Sequence, residues 1–174
     1  ELEIVKNDKN LDKNGIGREI FSESNYISDA VNIIGKLNKT QQVTIDIGGG
    51  AAKTIAPKLL QEIGCQVDTI NDELDGCSRG PDPTSNELTE LVSKTKDLGF
   101  AFDLDSDRVI LVMNGEKKSS DITLGLGVVK AIKLGIKKFV LSIDSSLAVE
   151  KYIIQHGGEV WRSKVGEANV IQMM

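Results

Sequence analysis

The sequence predicts an α/β fold of two consecutive units, with mixed, largely parallel sheets flanked by helices. Short runs rich in β-branched residues alternate along the chain with stretches whose apolar residues recur at helical spacing. Such alternation is typical of parallel sheets in which helices connect the strands. The pair Asn114-Gly115 between two apolar runs predicts one tight hairpin, which adds an antiparallel strand and makes the sheet mixed.

The first unit is predicted from apolar periodicity and from the residues that begin and end each segment. Helical spacing of Ile27, Val31 and Ile34 indicates the first helix. The β-branched run VTIDI indicates a buried strand. Thr84 with Glu87 three residues later resembles a capping box at a helix N-terminus. The predicted helices cover 20–37, 51–64 and 84–96, and the predicted strands cover 43–47, 66–70, 98–103 and 109–113.

The second unit is predicted to follow a linker at residues 117–120. Asp121 can cap a helix that runs to Leu134. A strand, a helix and another strand follow, and residues from Glu167 onward have a helical pattern; the predicted segments are 139–144, 146–156 and 159–163. We therefore expect two domains, residues 1–117 and residues 118–174.

Composition excludes several classes of protein. The chain has 174 residues, of which 40% are hydrophobic and 27% charged, as expected of a globular protein. No apolar stretch is long enough to span a bilayer, so we expect no membrane partner. The net charge is −5 without a dense basic block, which argues against nucleic-acid binding. Cys65 and Cys77 form no zinc pattern and are most simply reduced thiols, so we expect a cytoplasmic location.

Three carboxylates follow a predicted strand in the stretch AFDLDSDRVILV, residues 101–112. Asp103, Asp105 and Asp107 alternate, so their oxygens can converge on one hard cation, Mg²⁺ or Ca²⁺, if the loop curls. The strand would deliver them to the carboxyl edge of the sheet, where α/β proteins bind ligands. The alternative is a solvated acidic turn between two strands.

Several functional interpretations of this stretch compete. An EF-hand is excluded because Arg108 and Asn114 occupy the positions where it needs glycine and glutamate. AFDLDS resembles the first motif of haloacid-dehalogenase-type phosphatases, with Asp103 as nucleophile and Asp105 as acid or base, although Ser106 replaces the usual glycine. A metal-binding or subunit-contact module without catalysis is a further alternative. Separately, the glycine run 48–50 could bind phosphate, but tight strand-to-helix packing is favoured because a P-loop lysine is missing.

AFDLDSDRV is most similar to the metal loop of the α-D-phosphohexomutases, the phosphoglucomutase/phosphomannomutase family, whose usual form is AFDGDxDRV. Other stretches resemble the family's second domain and the first part of its third domain, in the same order. They are VTIDIGGGAAKTIAPKLLQEIGCQV, NDELDGCSRGPDPTSNEL, GEKKSSDITLGL and FVLSIDSSLAVEKYIIQHGGEVWRSKVGE. The resemblance therefore covers most of residues 20–174.

This resemblance implies an isomerase that moves phosphate between the 1- and 6-positions of a hexose. In the family a phosphoserine held by Mg²⁺ gives up its phosphate, and a bisphosphate intermediate returns the other phosphate to the serine. The resemblance assigns Mg²⁺ to Asp103, Asp105 and Asp107, and it gives Arg108 a supporting catalytic role beside the phosphate. It assigns sugar-phosphate binding to Lys164, Gly166 and Glu167. The implied partners are a hexose phosphate and the remaining domains of the same enzyme.

The chain departs from the family pattern in two respects. Leu104 and Ser106 stand where the metal loop usually has glycines, so positive φ at these positions would be strained and could weaken metal binding. The chain also contains no T-x-S-H-N-P-like segment with the catalytic serine, and neither the E-x-S-G nor the R-x-S-G-T loop. We therefore expect a segment of a longer enzyme, and we expect the 174 residues alone to lack mutase activity.

Overall fold

The structure is a computed structural model that describes residues 23–73 and 79–174. Seven strands form two sheets in this part of the chain, five in the first sheet and two in the second. The helices are α1 Glu23–Ile34, α2 Ala52–Glu62, α3 Thr89–Lys94, α4 Ser120–Lys133, α5 Leu147–Gln155 and α6 Glu167–Met173. The strands are β1 Gln41–Asp46, β2 Cys65–Ile70, β3 Leu98–Phe102, β4 Val109–Met113, β5 Glu116–Lys117, β6 Lys138–Ser142 and β7 Glu159–Ser163.

The five-stranded sheet has the order β2-β1-β3-β4-β5, and its first three strands are parallel. Strand β4 returns antiparallel to β3, and β5 pairs antiparallel with β4. Asn114 and Gly115 connect β4 and β5 with φ of 57° and 71°, the positive values that a two-residue hairpin turn of this kind requires. The predicted mixed, largely parallel α/β fold and its hairpin are confirmed.

The core of the first unit lies on both faces of this sheet, because side chains of a strand point alternately to opposite faces. On one face, Val43, Ile45 and Ile47 pack with the start of α2. On the other face, Leu91 of α3 packs with residues from β3 and β4. Strand β1 lies between β2 and β3, and its last four residues are buried, including the polar Thr44 and Asp46. The carboxyl ends of β1 and β3 are thus held rigidly side by side.

Helix α3 is shorter than the sequence predicts. Leu88, directly before it, has a left-handed conformation with φ of 53°, which prevents the helix from beginning earlier. Thr84 does not cap this helix, since its hydroxyl donates to Asp82 Oδ1 at 2.7 Å. The predicted helix start at residue 84 is therefore wrong, and the segment before Leu88 is a loop.

The second unit contains the parallel pair β6 and β7. Its core consists of Val128, Leu141, Val149 and Ile153. Asp121 lies in the first turn of α4 and is not its N-cap; its Oδ1 instead accepts a hydrogen bond of 2.9 Å from Ser146 N, just before α5. Helix α4 also contacts β4 of the first sheet. The division into domains at residue 117 stays a prediction.

No helix among the described residues is both long and apolar enough to cross a bilayer. The predicted start of the first helix at residues 20–22 and the thiol of Cys77 lie outside the described residues.

Candidate metal centre

The three aspartates converge at the carboxyl end of β3. One carboxylate oxygen from each of Asp103, Asp105 and Asp107 lies within 4.8 Å of the others. Asp103 is buried with 7% of its surface exposed, whereas the other two are exposed to solvent. We call residues 103–108 the acidic loop. A hard cation prefers such oxygen ligands, so the donor set fits Mg²⁺ or Ca²⁺.

The carboxylates of the acidic loop share hydrogen bonds and also repel one another. The pKa of Asp107 is raised, first by the hydrogen bond its carboxyl shares with Asp103, then by partial loss of hydration and by the negative charges of its two neighbours. Burial acts to raise the pKa of Asp103 as well. The hydrogen bond from Arg108 N, at 3.1 Å, and the hydrogen bonds with Asp107 and Asp105 outweigh it, so this pKa is lowered. The arrangement favours a positive charge among the three carboxylates.

Arg108 supplies part of that positive charge from the solvent side. Its Nε lies 3.7 Å from Asp103 Oδ2 and 3.7 Å from Asp107 Oδ1. Its Nη1 lies 3.3 Å from Asp82 Oδ2, a carboxylate that the sequence analysis did not single out. Hydrogen bonds from Thr84 lower the pKa of Asp82, and Arg108 lowers it further. The Arg108 side chain is 56% exposed, so each of these ion pairs is weak alone.

Ser106, and not Leu104, takes the left-handed conformation of the acidic loop. Its φ is 65°, a conformation that costs a residue with a side chain about 1–2 kcal/mol. Leu104 lies outside the left-handed region. The expected strain at position 104 is therefore not found. The Leu104 carbonyl accepts a hydrogen bond of 2.8 Å from Ala51 N. Within residues 23–73 and 79–174, the buried Ser106 Oγ has no hydrogen-bond partner.

The glycine turn between β1 and α2, residues 48–50, packs against the acidic loop. Gly48 N donates to Asp46 Oδ1 at 2.9 Å, Gly49 N to Asn71 O at 2.8 Å, and Gly50 N to Ile47 O at 3.3 Å. These donors are therefore engaged within the chain, which argues against a phosphate cradle and agrees with the tight packing that the sequence favoured. A Cβ on Gly50 would lie only 2.5 Å from Leu104 O.

Replacing Gly50 by Ala is expected to destabilise the first unit by about 1–3 kcal/mol, because the added methyl group must displace the backbone of the acidic loop. Hydrogen exchange of the β1 amide groups in the full-length protein measures this loss. The matched control is Gly127→Ala in α4, where the added Cβ would meet nothing within 4 Å apart from its chain neighbours and the backbone of its own helix. That change is expected to be neutral or to stabilise by about 0.5–1 kcal/mol. Equal effects of the two substitutions would contradict the close approach at Gly50.

A buried ion pair that was not predicted from the sequence lies next to the acidic loop. Arg79 Nε is 2.7 Å from Asp46 Oδ2, and the two side chains are only 10% and 2% exposed. Asp46 ends β1, while Arg79 belongs to the loop that follows β2. An aspartate at the end of a buried strand was a usable signal, since a buried carboxylate needs a partner. No sequence pattern indicated that Arg79 is the partner of Asp46.

The predicted sugar-phosphate residues lie in the second unit. Lys164, Gly166 and Glu167 follow the carboxyl end of β7 and lead into α6. No hydrogen bond or ion pair joins them to the acidic loop in the described part of the chain. The structure therefore brings the three aspartates and Arg108 together, and it leaves these three residues at the edge of the other sheet.

Comparisons with known proteins identify the family of the chain. Residues 24–116 match the family model described as phosphoglucomutase/phosphomannomutase, alpha/beta/alpha domain II. Phosphoglucosamine mutase of Sulfurovum sp. (strain NBC37-1) is 32% identical over 167 residues, which cover 91% of this chain and 36% of that protein. Phosphoglucosamine mutase of Campylobacter curvus (strain 525.92) is 34% identical over 172 residues, with the same coverage. The chain thus spans about a third of the length of these relatives.

The fold is also found in a solved structure. The crystal structure of a phosphoglucomutase/phosphomannomutase family protein from Burkholderia thailandensis superposes with a TM-score of 0.74 at 22% identity. The superposition covers 87% of this chain and 35% of that one. The family model covers more than half of the sequence. The chain therefore belongs to the phosphoglucomutase/phosphomannomutase family.

Proposed function

We propose that this chain supplies the Mg²⁺ site of a phosphohexomutase that moves phosphate between the 1- and 6-positions of a hexose. The observation that carries the proposal is the convergence of the carboxylates of Asp103, Asp105 and Asp107 at the carboxyl end of β3. Family membership supports the reaction class. The relatives named above are phosphoglucosamine mutases, so glucosamine phosphate is the first substrate to assay.

The three aspartates would hold the ion through oxygen ligands. When bound, Mg²⁺ would stabilise negative charge on the phosphoryl group that is transferred. Asp103 is the most fixed of the three, because it is buried and accepts the Arg108 N–H. The exposed guanidinium of Arg108 would meet the substrate phosphate or orient the aspartates that it pairs with.

The second unit would contribute to binding of the sugar phosphate. In this proposal Lys164, Gly166 and Glu167 bind it, and Lys164 supplies positive charge. The Lys164 side chain is exposed and forms no ion pair within the described residues, so it is available to an anion. Residues 1–117 and 118–174 would belong to two domains, and further domains of the same enzyme would provide the phosphoserine.

A calorimetric titration of the full-length protein with Mg²⁺ tests the metal site. Asp105→Asn is expected to weaken binding about 10-fold or more, because it removes one charged oxygen ligand. Asp29→Asn is the matched control, since Asp29 is an exposed aspartate of α1 outside the acidic loop. Equal Mg²⁺ affinity in the Asp105 variant and its parent would rule out the proposed site.

A further inference from the structure

Arg79 connects the ends of two parallel strands through its guanidinium group. Its Nε donates to Asp46 Oδ2 at 2.7 Å, at the end of β1. Its Nη1 donates to Gly80 O at 2.9 Å, and its Nη2 donates to Phe102 O, at the end of β3. One planar group thus binds three acceptors at fixed angles. A lysine offers only a single point of charge and cannot reproduce this geometry.

The contact with Phe102 is made where the strand pairing stops. The parallel register of β1 and β3 ends at the pair Asp46 and Ala101. Arg79 donates to the carbonyl of the next residue along β3, Phe102, and this residue directly precedes Asp103. The orientation of the peptide group between Phe102 and Asp103 therefore depends on the guanidinium of Arg79.

Asp46 and Gly48 hold the guanidinium in place. Asp46 is 1% exposed and uses both oxygens, one for Arg79 Nε and the other for Gly48 N at 2.9 Å. A Cβ at Gly48 would lie 2.6 Å from Arg79 Nη2 and 2.8 Å from Phe102 O. The glycine therefore leaves the space through which Arg79 reaches the Phe102 carbonyl.

We infer that Arg79 is a positioning residue for the metal site: fixed by Asp46, it sets the point at which Asp103 leaves the sheet. The inference rests on the proposed Mg²⁺ site. It assigns to the loop after β2 a role in metal binding, although Arg79 itself carries a positive charge and cannot be a ligand of the ion. According to this inference, the three aspartates form a metal site only when Arg79 connects the ends of β1 and β3.

The test is Mn²⁺ binding to the full-length protein, measured by electron paramagnetic resonance. Arg79→Lys keeps the charge beside Asp46 but loses the bond to Phe102 O, so the affinity for Mn²⁺ is expected to fall about 10-fold. Circular dichroism at the assay temperature checks that the variant is folded. A merely structural role of Arg79 would lower the unfolding temperature and leave the affinity of the folded protein unchanged.

Arg162→Lys is the matched control in the second unit. Arg162 is also partly buried, pairs with Glu150, and donates to the carbonyls of Ser142 and Ser145. Its replacement by lysine removes hydrogen bonds of the same kind, from a guanidinium to backbone carbonyls, at a place outside the acidic loop. The Mn²⁺ affinity of this variant is expected to equal that of the wild type.

The possible outcomes separate this inference from the proposed function. If the wild type binds Mn²⁺ and Asp105→Asn binds it about 10-fold more weakly or not at all, the metal site stands. Equal affinities of Arg79→Lys and wild type then overturn the inference alone. Failure of the wild type to bind Mn²⁺ overturns both. If Arg79→Lys does not fold, Asp46→Asn replaces it as the test. This variant keeps the size of the side chain but removes the charge that holds the guanidinium, and an unchanged affinity for Mn²⁺ would again overturn the inference.

Discussion

In the proposed phosphohexomutase, replacement of Asp103 by Asn in the full-length protein is expected to lower kcat for interconversion of hexose 1- and 6-phosphates by about 100-fold or more. Asp103 is the buried member of the three aspartates, so solvent cannot take over its part of the site. Asn has the same shape and can still accept the Arg108 N–H, which Asp103 Oδ1 accepts at 3.1 Å. The fold should therefore survive while a negative ligand is lost. A coupled assay with glucosamine, glucose and mannose phosphates measures the effect.

Asp29→Asn again provides the control, because it makes the same chemical change on an exposed face of α1. Its kcat should equal that of the wild type. A reduced kcat in Asp103→Asn that excess Mg²⁺ partly restores would agree with a role in holding the ion. Full activity of Asp103→Asn would refute the assignment of the metal site.

The sequence predicted those features that depend on local pattern. Each strand except the two-residue β5 was predicted to within one or two residues, because β-branched runs have a period that helices do not share. The hairpin was found because Asn114-Gly115 suits two successive positive φ values. The convergence of the three carboxylates was predicted because Asp103, Asp105 and Asp107 alternate directly after a strand. In each case the prediction depends only on residues that are adjacent in the sequence.

Features that depend on distant residues were not predicted. Arg79 and Asp46 are 33 positions apart, and only the folded sheet brings them into contact. The late start of α3 has a partly local origin. The pattern of Thr84 and Glu87 favours a cap, but the Thr84 hydroxyl donates to Asp82, two residues earlier. The Asp82 carboxylate also pairs with Arg108 of the acidic loop, so a local turn joined by one tertiary ion pair replaced the predicted cap.

Replacement of Asp46 by Ala is expected to destabilise the first unit by about 3–5 kcal/mol, because it leaves the Arg79 guanidinium buried without its counter-charge. The Arg79 side chain is only 10% exposed, so water cannot replace the lost carboxylate. Gly48 N also loses its acceptor. Hydrogen exchange of the β1 amide groups in the full-length protein measures the loss, since these amides belong to the strand that Asp46 ends.

An exposed ion pair of the same unit gives the control. Lys94 and Glu90 are 2.7 Å apart with side chains 53% and 52% exposed, and Glu90→Gln should cost only about 0.3–0.5 kcal/mol. Adding Arg79→Met to Asp46→Ala should recover part of the lost stability, since the uncompensated charge is then removed. Recovery should stay incomplete because the carbonyl of Phe102 loses its donor. Additive losses in the double variant would show that the two side chains do not act as a pair, and burial of the charge would then not be the cause of the destabilisation.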